Sequence, residues 1–243
     1  MENTVIYKLI FRRQTSGYTA YLSLSGHSLP CIYPADILSA REQWQYDMYN
    51  GARQSEFFLS RLLTKDLVRR FYVEKGWHEI EVANSVFGQP VLCDTGCGHN
   101  LRISIAHKKE LAGSLVFDAE HPLALDIEQT QYPPSLLRTM EADELQALEK
   151  MGLSAMHAWS AREALSKVLG CGITVDMRFF KTTNWEQYDN FYTGEYAHFL
   201  QYRFIGFIAN DHIITLALPR HSDIEIKLFN PESAVHTTLK NEH

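Results

Sequence analysis

The alternation of apolar and polar residues sorts the chain into segments of two periods. The opening "MENTVIYKLIFRR" alternates in twos and carries an acidic residue at position 2, which predicts a strand and not a signal peptide. From Ala52 to Phe71, Phe58, Leu59, Leu62, Leu63 and Leu67 recur at three- and four-residue steps, which predicts an amphipathic helix. On spacing alone, its Arg53, Arg61, Lys65, Arg69 and Arg70 read as a solvated basic flank. A strand-rich stretch follows: "HEIEVANS", a turn at "FGQPVL", then "NLRISIAH", "LAGSLVFDA" and "HPLALDIE". A polar helical stretch around "SLLRTMEADELQALEKMG" leads into "AMHAWSAREALSKVLG", a second strong helix stopped by Gly170 and Gly172. The last third reads as β, with a turn at Asn210–Asp211 and a final "DIEIKLF". Helix and strand groups thus occur twice, once before and once after Asp126. The expected class is α+β in two halves, 1–122 and 123–243, although no sequence repeat is visible.

Composition narrows the function. A chain of 243 residues with 45% hydrophobic and 21% charged residues suits a globular protein of one large or two half-size domains. A net charge of −6 argues against a nucleic-acid binder, and no apolar run is long enough to cross a bilayer. Four cysteines at this length do not make a disulfide framework, so a reduced cytoplasmic setting is expected.

The candidate chemistry lies in "LALDIEQT". On a strand, Leu123, Leu125 and Ile127 share one face, and Ala124, Asp126 and Glu128 share the other. Two carboxylates side by side raise each other's proton affinity unless a cation sits between them, and an oxygen-only set suits Mg²⁺. On the helix, Ala158, Ala161, Ala164, Leu165, Val168 and Leu169 form an apolar arc, while Trp159, Glu163 and Lys167 form a separate stripe at four-residue spacing. That stripe is either a surface Glu–Lys pair beside a packed Trp, or a third metal carboxylate with a lysine for a phosphate. A second "DIE" at Asp223–Glu225 lacks a following carboxylate helix and reads as an exposed strand face. Cys93, Cys97 and His99 in "CDTGCGH" lack a fourth ligand at zinc spacing and read as a loop. The aromatic run "FYTGEYAHFLQYRF" reads as core and sheet surface.

The order "ISIAH", "LALDIE", "WSAREALSKVLGCGI" resembles the signature of Sfp-type 4′-phosphopantetheinyl transferases. Upstream, "ARQSEFFLSRLL" is similar to that family's basic helix, and "FGQP" stands at its G-x-P turn, so the resemblance runs from about Arg53 to Ile173. It implies two similar α/β halves related by a pseudo-two-fold axis, with the active site at their interface. It also implies Mg²⁺-dependent transfer of phosphopantetheine from coenzyme A to a serine of an acyl or peptidyl carrier protein, releasing 3′,5′-ADP, by a monomer. By motif, Asp126, Glu128 and Glu163 would hold the metal, and Glu163 would activate the serine directly or through water. Beside Mg²⁺ its proton affinity would be depressed. Lys167 and His107 would meet phosphates of the coenzyme. Arg53 and Arg61 would meet its nucleotide end, and Gln89 would lie at the turn beside it.

Several positions depart from the family pattern. Ala106, Gln89, Arg162 and Ala124 stand where serine, lysine, lysine and glycine are usual. None removes a metal ligand. The losses at Ala106 and Gln89 keep a non-catalytic coenzyme A- or carrier-binding relative in view as an alternative, and a metal-dependent phosphohydrolase as a third.

Overall fold

The computed structural model describes residues 4–26, 32–86, 88–93, 100–131, 133–209, 211–229 and 236–237. By internal contacts the chain forms two compact units, Met1–His121 with Ser222–His243, and Pro122–His221. The first unit runs through β1 (Thr4–Arg13), β2 (Ser16–Gly26), α1 (Pro34–Ile37), α2 (Ala40–Asp47), α3 (Gly51–Phe71), β3 (Val82–Asn84), β4 (Pro90–Leu92), β5 (Leu101–Lys108) and β6 (Leu111–Asp118). The second holds β7 (Ala124–Gln129), α4 (Ala142–Lys150), α5 (Ala155–Leu169), β8 (Thr182–Tyr188), β9 (Phe191–Tyr196), β10 (Tyr202–Ala209) and β11 (His212–Pro219). The chain then returns to the first unit through β12 (Asp223–Phe229) and β13 (His236–Thr237).

The architecture is α+β, and each unit follows one plan. A strand, β2 or β7, leads through short helices into a long one, then into antiparallel strands, of which β6 pairs with β2 and β11 with β7. In unit 1 the sheet order is β13-β12-β1-β2-β6-β5, with the β3–β4 hairpin next to β5. In unit 2 it is β7-β11-β10-β9-β8. The long helix α3 packs on β2, β5 and β6, and α5 packs on β7 and β11. Hairpin turns fall where the sequence supplies small polar residues: Asp211 takes a φ of 60° at the turn expected there. Asn210, the turn's other residue, lies outside the described residues.

Each long helix also carries a buried cation. Lys65 on α3 is fully buried. Its ammonium donates to Glu42 Oε2 of α2 at 2.5 Å, to the Ile37 carbonyl at 2.8 Å and to the Trp77 carbonyl at 3.0 Å. Glu42 Oε1 in turn accepts the Val82 amide of β3 at 3.0 Å. In unit 2, buried Arg162 on α5 pairs with Glu144 of α4 and donates to the Thr139 carbonyl at 2.8 Å. Glu144 Oε1 accepts the Thr182 amide of β8 at 3.0 Å. One carboxylate therefore ties a short helix, a long helix and the start of the next strand in each unit. Each buried cation meets a carboxylate and at least one carbonyl, as burial of charge requires, although Arg162 Nε has no hydrogen-bond partner among the described residues.

These contacts correct several expectations. The basic residues of α3 are only in part a solvated flank: Arg53 and Arg70 are exposed, but Lys65 is buried and Arg61 is 6% exposed. With the sheet on one side and α2 on another, α3 is buried at every position from Phe57 to Val68. Leu169, placed on the apolar arc of α5, is exposed in the helix's last turn. The strand read at "HEIEVANS" shrinks to Val82–Asn84, because residues 77–79 form a 3-10 turn whose Glu79 carboxylate accepts the Gly76 amide. The zinc-like Cys97 and His99 lie outside the described residues. Residues 222–243 group with unit 1 instead of following 123 onward, because β12 pairs antiparallel with β1, Ile226 opposite Leu9.

That pairing places the second "DIE" on β12, with Asp223 exposed and Glu225 bridged to Lys227 at 3.0 Å. Asp223→Ala should change stability by no more than about 0.5 kcal/mol and leave any activity unaltered. A large loss in a denaturation or turnover measurement would show that the wrong acidic pair had been singled out.

Candidate active site

β7 is an edge strand of its sheet, yet both its faces are buried. Alternation sends Asp126 and Glu128 to one face; α5, which also contacts β7, brings Glu163 to them. One carboxylate oxygen from each of the three lies within 4.8 Å of the other two. Asp126 is 2% exposed and Glu128 5% exposed, so this is not a wet strand edge. Glu163 is half-buried.

Both oxygens of Asp126 are engaged. Oδ1 accepts Lys167 Nζ at 2.7 Å, and that ammonium also donates to the Leu125 carbonyl at 3.0 Å. Oδ2 accepts the Ser160 hydroxyl at 2.8 Å. Lys167 lies one turn beyond Glu163 on α5, so the helical stripe read from sequence faces the strand carboxylates instead of bulk solvent. Its side chain remains 30% exposed, which keeps the ammonium at the rim. Ser160 lies within "WSAREALSK", where spacing alone assigns it no role; its buried hydroxyl also contacts Thr215 Oγ1 at 2.9 Å, and Thr215 stands opposite Asp126 in the β7–β11 register.

Burial pushes the Glu163 carboxyl up to about 8, with Asp126 adding to the rise, Lys167 opposing it, and a carboxyl–carboxyl hydrogen bond to Asp126 and the charge of Glu128 adding again. The protein's own groups thus favour a proton on Glu163, the opposite of what an adjacent dication would do. A carboxyl raised from its ordinary 4.5 to about 8 contributes stability that is complete below 4.5 and is lost as pH climbs through about 8. With chelator present, the melting temperature of the wild type should therefore fall relative to Glu163→Gln between pH 5 and pH 9. A constant offset across that range would refute the assignment.

The donor set fits a hard dication. It is three carboxylates with no nitrogen or sulfur ligand among the grouped residues, and it gathers like charges that a cation would relieve.

Unit 1 carries a cavity of about 460 Å³. It is lined by Arg53, Arg61 and His107 among others, with Glu56, and by Gly88 and Pro90 of the turn. The arginines are laid on aromatic faces: the Arg53 guanidinium is 4.6 Å from the ring centroid of Tyr49, which precedes α3, and that of Arg61 is 4.1 Å from Phe57, one helical turn back. On α3 the four-residue spacing of Phe57 to Arg61 is a signal of this stacking that is readable in the sequence. Arg61 also donates to Ser60 Oγ at 3.2 Å. Burial lowers its guanidinium pKa, with Glu42 opposing. His107 is exposed, its Nδ1 3.6 Å from Glu56 Oε2. Gln89 closes the turn through its backbone: its carbonyl accepts the Ser85 amide at 2.7 Å, and its amide donates to Ser85 Oγ at 3.2 Å. Ala106 is buried on β5, where no hydroxyl is offered.

Residues 122–217, which span nearly all of the carboxylate-bearing unit, match the model of the 4′-phosphopantetheinyl transferase superfamily. The likeness to that superfamily covers this unit of the chain. No curated protein gives a significant match to it. Members of that superfamily are transferases that act on carrier proteins with coenzyme A and typically Mg²⁺. Among the described residues, no helix is long and apolar enough to cross a membrane.

Proposed function

We propose that the protein is an Sfp-type transferase that moves 4′-phosphopantetheine from coenzyme A to a serine hydroxyl of an acyl or peptidyl carrier protein, releasing 3′,5′-ADP. It acts as a cytoplasmic monomer with Mg²⁺. The observation that carries this reading is the convergence of Asp126, Glu128 and Glu163 within a unit that matches the superfamily. The three carboxylates would hold Mg²⁺, which when bound supplies charge stabilisation to phosphoryl oxygens.

The remaining work falls to the chain's own side chains. Glu163 is the proton acceptor for the carrier serine, directly or through water, and a dication held beside it would keep it ionised for that role. Lys167 fixes Asp126 and keeps a cation at the rim of the cluster, where a diphosphate's negative charge would be met. Arg53, Arg61 and His107 give an acidic protein the local positive lining that a coenzyme with several phosphates needs. Arg53, exposed and stacked on Tyr49, is free to fork onto a phosphate. Arg53→Ala should raise KM for coenzyme A about 10-fold with little change in kcat; an unchanged KM would detach Arg53 from the coenzyme.

The deciding experiment incubates the protein with coenzyme A, Mg²⁺ and a panel of apo carrier proteins, reading carrier mass. A phosphopantetheine mass gain on at least one carrier, abolished by chelator, is expected. Bound coenzyme A with no gain on any carrier would favour a binding relative, and release of pantetheine phosphate without carrier would favour a hydrolase.

A further inference from the structure

Behind the carboxylates runs a row of buried hydroxyls that the proposed chemistry leaves unused. Ser160 Oγ meets Asp126 Oδ2 at 2.8 Å and Thr215 Oγ1 at 2.9 Å, and Thr215 Oγ1 meets the Tyr192 hydroxyl at 2.7 Å. Ser160 and Thr215 are fully buried and Tyr192 is 2% exposed, so water does not compete for these bonds. A serine has one proton, and an ionised carboxylate only accepts. Ser160 must therefore spend its proton on Asp126 and take one from Thr215, which leaves Tyr192 as the donor to Thr215. The polarity of the row runs one way, from Tyr192 to Asp126.

The Tyr192 ring is held for this purpose from several directions. His157 meets it edge-on, with centroids 5.1 Å apart, and Trp185 lies at 5.8 Å. Opposite it in the β9–β10 register is Gly206, where a Cβ would come within 2.1 Å of the tyrosine oxygen. Any side chain at 206 would push the hydroxyl off Thr215. Aligned donors that feed one carboxylate oxygen hold it in a single orientation. Lys167 holds the other oxygen.

We propose that Tyr192, acting through Thr215 and Ser160, is a positioning residue that orients Asp126 and so sets the cation affinity of the carboxylate cluster. The proposal rests on the reading of that cluster as a divalent-cation site. Outer partners of metal ligands of this kind typically change affinity about 10- to 100-fold when removed.

The test is calorimetric titration of the full chain with Mn²⁺ and with Mg²⁺, without coenzyme A, on the wild type and on Asp126→Ala, Ser160→Ala, Tyr192→Phe, Thr215→Val and the Ser160→Ala/Tyr192→Phe double variant. Ser160→Ala should weaken binding about 10- to 100-fold, and Tyr192→Phe and Thr215→Val each several-fold. In the Ser160→Ala background, Tyr192→Phe should cost nothing more, because its path to Asp126 is already cut. Melting temperatures taken alongside separate affinity from folding. If Tyr192→Phe lowers the melting temperature but binds the ion as the wild type does, or if its loss persists undiminished without Ser160, the hydroxyl row is only structural and the proposal falls. If Asp126→Ala binds the ion as well as the wild type, the cation-site reading itself falls, and the proposal with it.

Discussion

Asp126→Ala is expected to reduce carrier modification at least about 100- to 1,000-fold in kcat, as loss of a preorganised charge-stabilising group does, while the protein stays folded. Asp126 is the point where strand, helix and both supporting donors meet. Its oxygens take Lys167 and Ser160, and it is the charged partner that most strongly raises the Glu163 carboxyl. Its removal leaves two carboxylates where three stood and releases Lys167 from the cluster. The cost to folding is small for two reasons. Lys167 is 30% exposed and can turn to water, and the like-charge pressure between Asp126 and Glu163 disappears. The Glu163 carboxyl should fall back toward its ordinary range in the variant, which a pH titration of stability would register. Unchanged turnover with an intact fold would take Asp126, and with it the carboxylate cluster, out of the reaction.

Glu144→Ala should have the largest effect on stability, about 3–5 kcal/mol, the usual result of stranding one member of a buried ion pair. Neither Arg162 nor Glu144 has an exposed side chain. Burial alone lowers the Arg162 guanidinium pKa and Glu144 is the main opposing charge, so removing Glu144 leaves a buried cation with only the Thr139 carbonyl and more distant acids. The Thr182 amide, which starts β8, loses its acceptor as well. For a unit of this size the melting temperature should drop by at least roughly 12–20 °C. Replacing both partners, Glu144→Leu with Arg162→Met, should recover much of the loss because no charge is then stranded. Denaturant unfolding of the three proteins decides the matter: a single-variant cost below about 1 kcal/mol would mean that water reaches Arg162. The same reasoning applies to Glu42 and Lys65 in unit 1, where the ammonium is equally buried.

The departure at position 162 takes on a physical sense here. A planar guanidinium reaches the Thr139 carbonyl with one nitrogen and Glu144 with another, a fork that a lysine would not reproduce. Arg162 faces the core while its neighbour Glu163 faces the strand carboxylates. The adjacent charges "RE" in the sequence thus belong to two separate structures, one for stability and one for the candidate chemistry.

What the sequence determined by itself is whatever is encoded in short-range spacing. Period two along "LALDIE" put Asp126 and Glu128 on one face, period four along "WSAREALSK" put Glu163 and Lys167 on one stripe, and glycine ended α5 at the place expected. What only the tertiary structure decided is which polar groups lose water. Lys65 and Arg162 look like surface charges to any periodicity, because their carboxylate partners stand 23 and 18 residues away on short helices with no pattern linking them. Ser160, Thr215 and Tyr192 are likewise unremarkable in sequence, and they become one row because β9, β10 and β11 lie side by side across from α5. β12 leaves its sequence neighbours for β1 for the same reason: strand pairing and charge burial are settled by the free energy of distant segments meeting, and local spacing carries no record of that meeting.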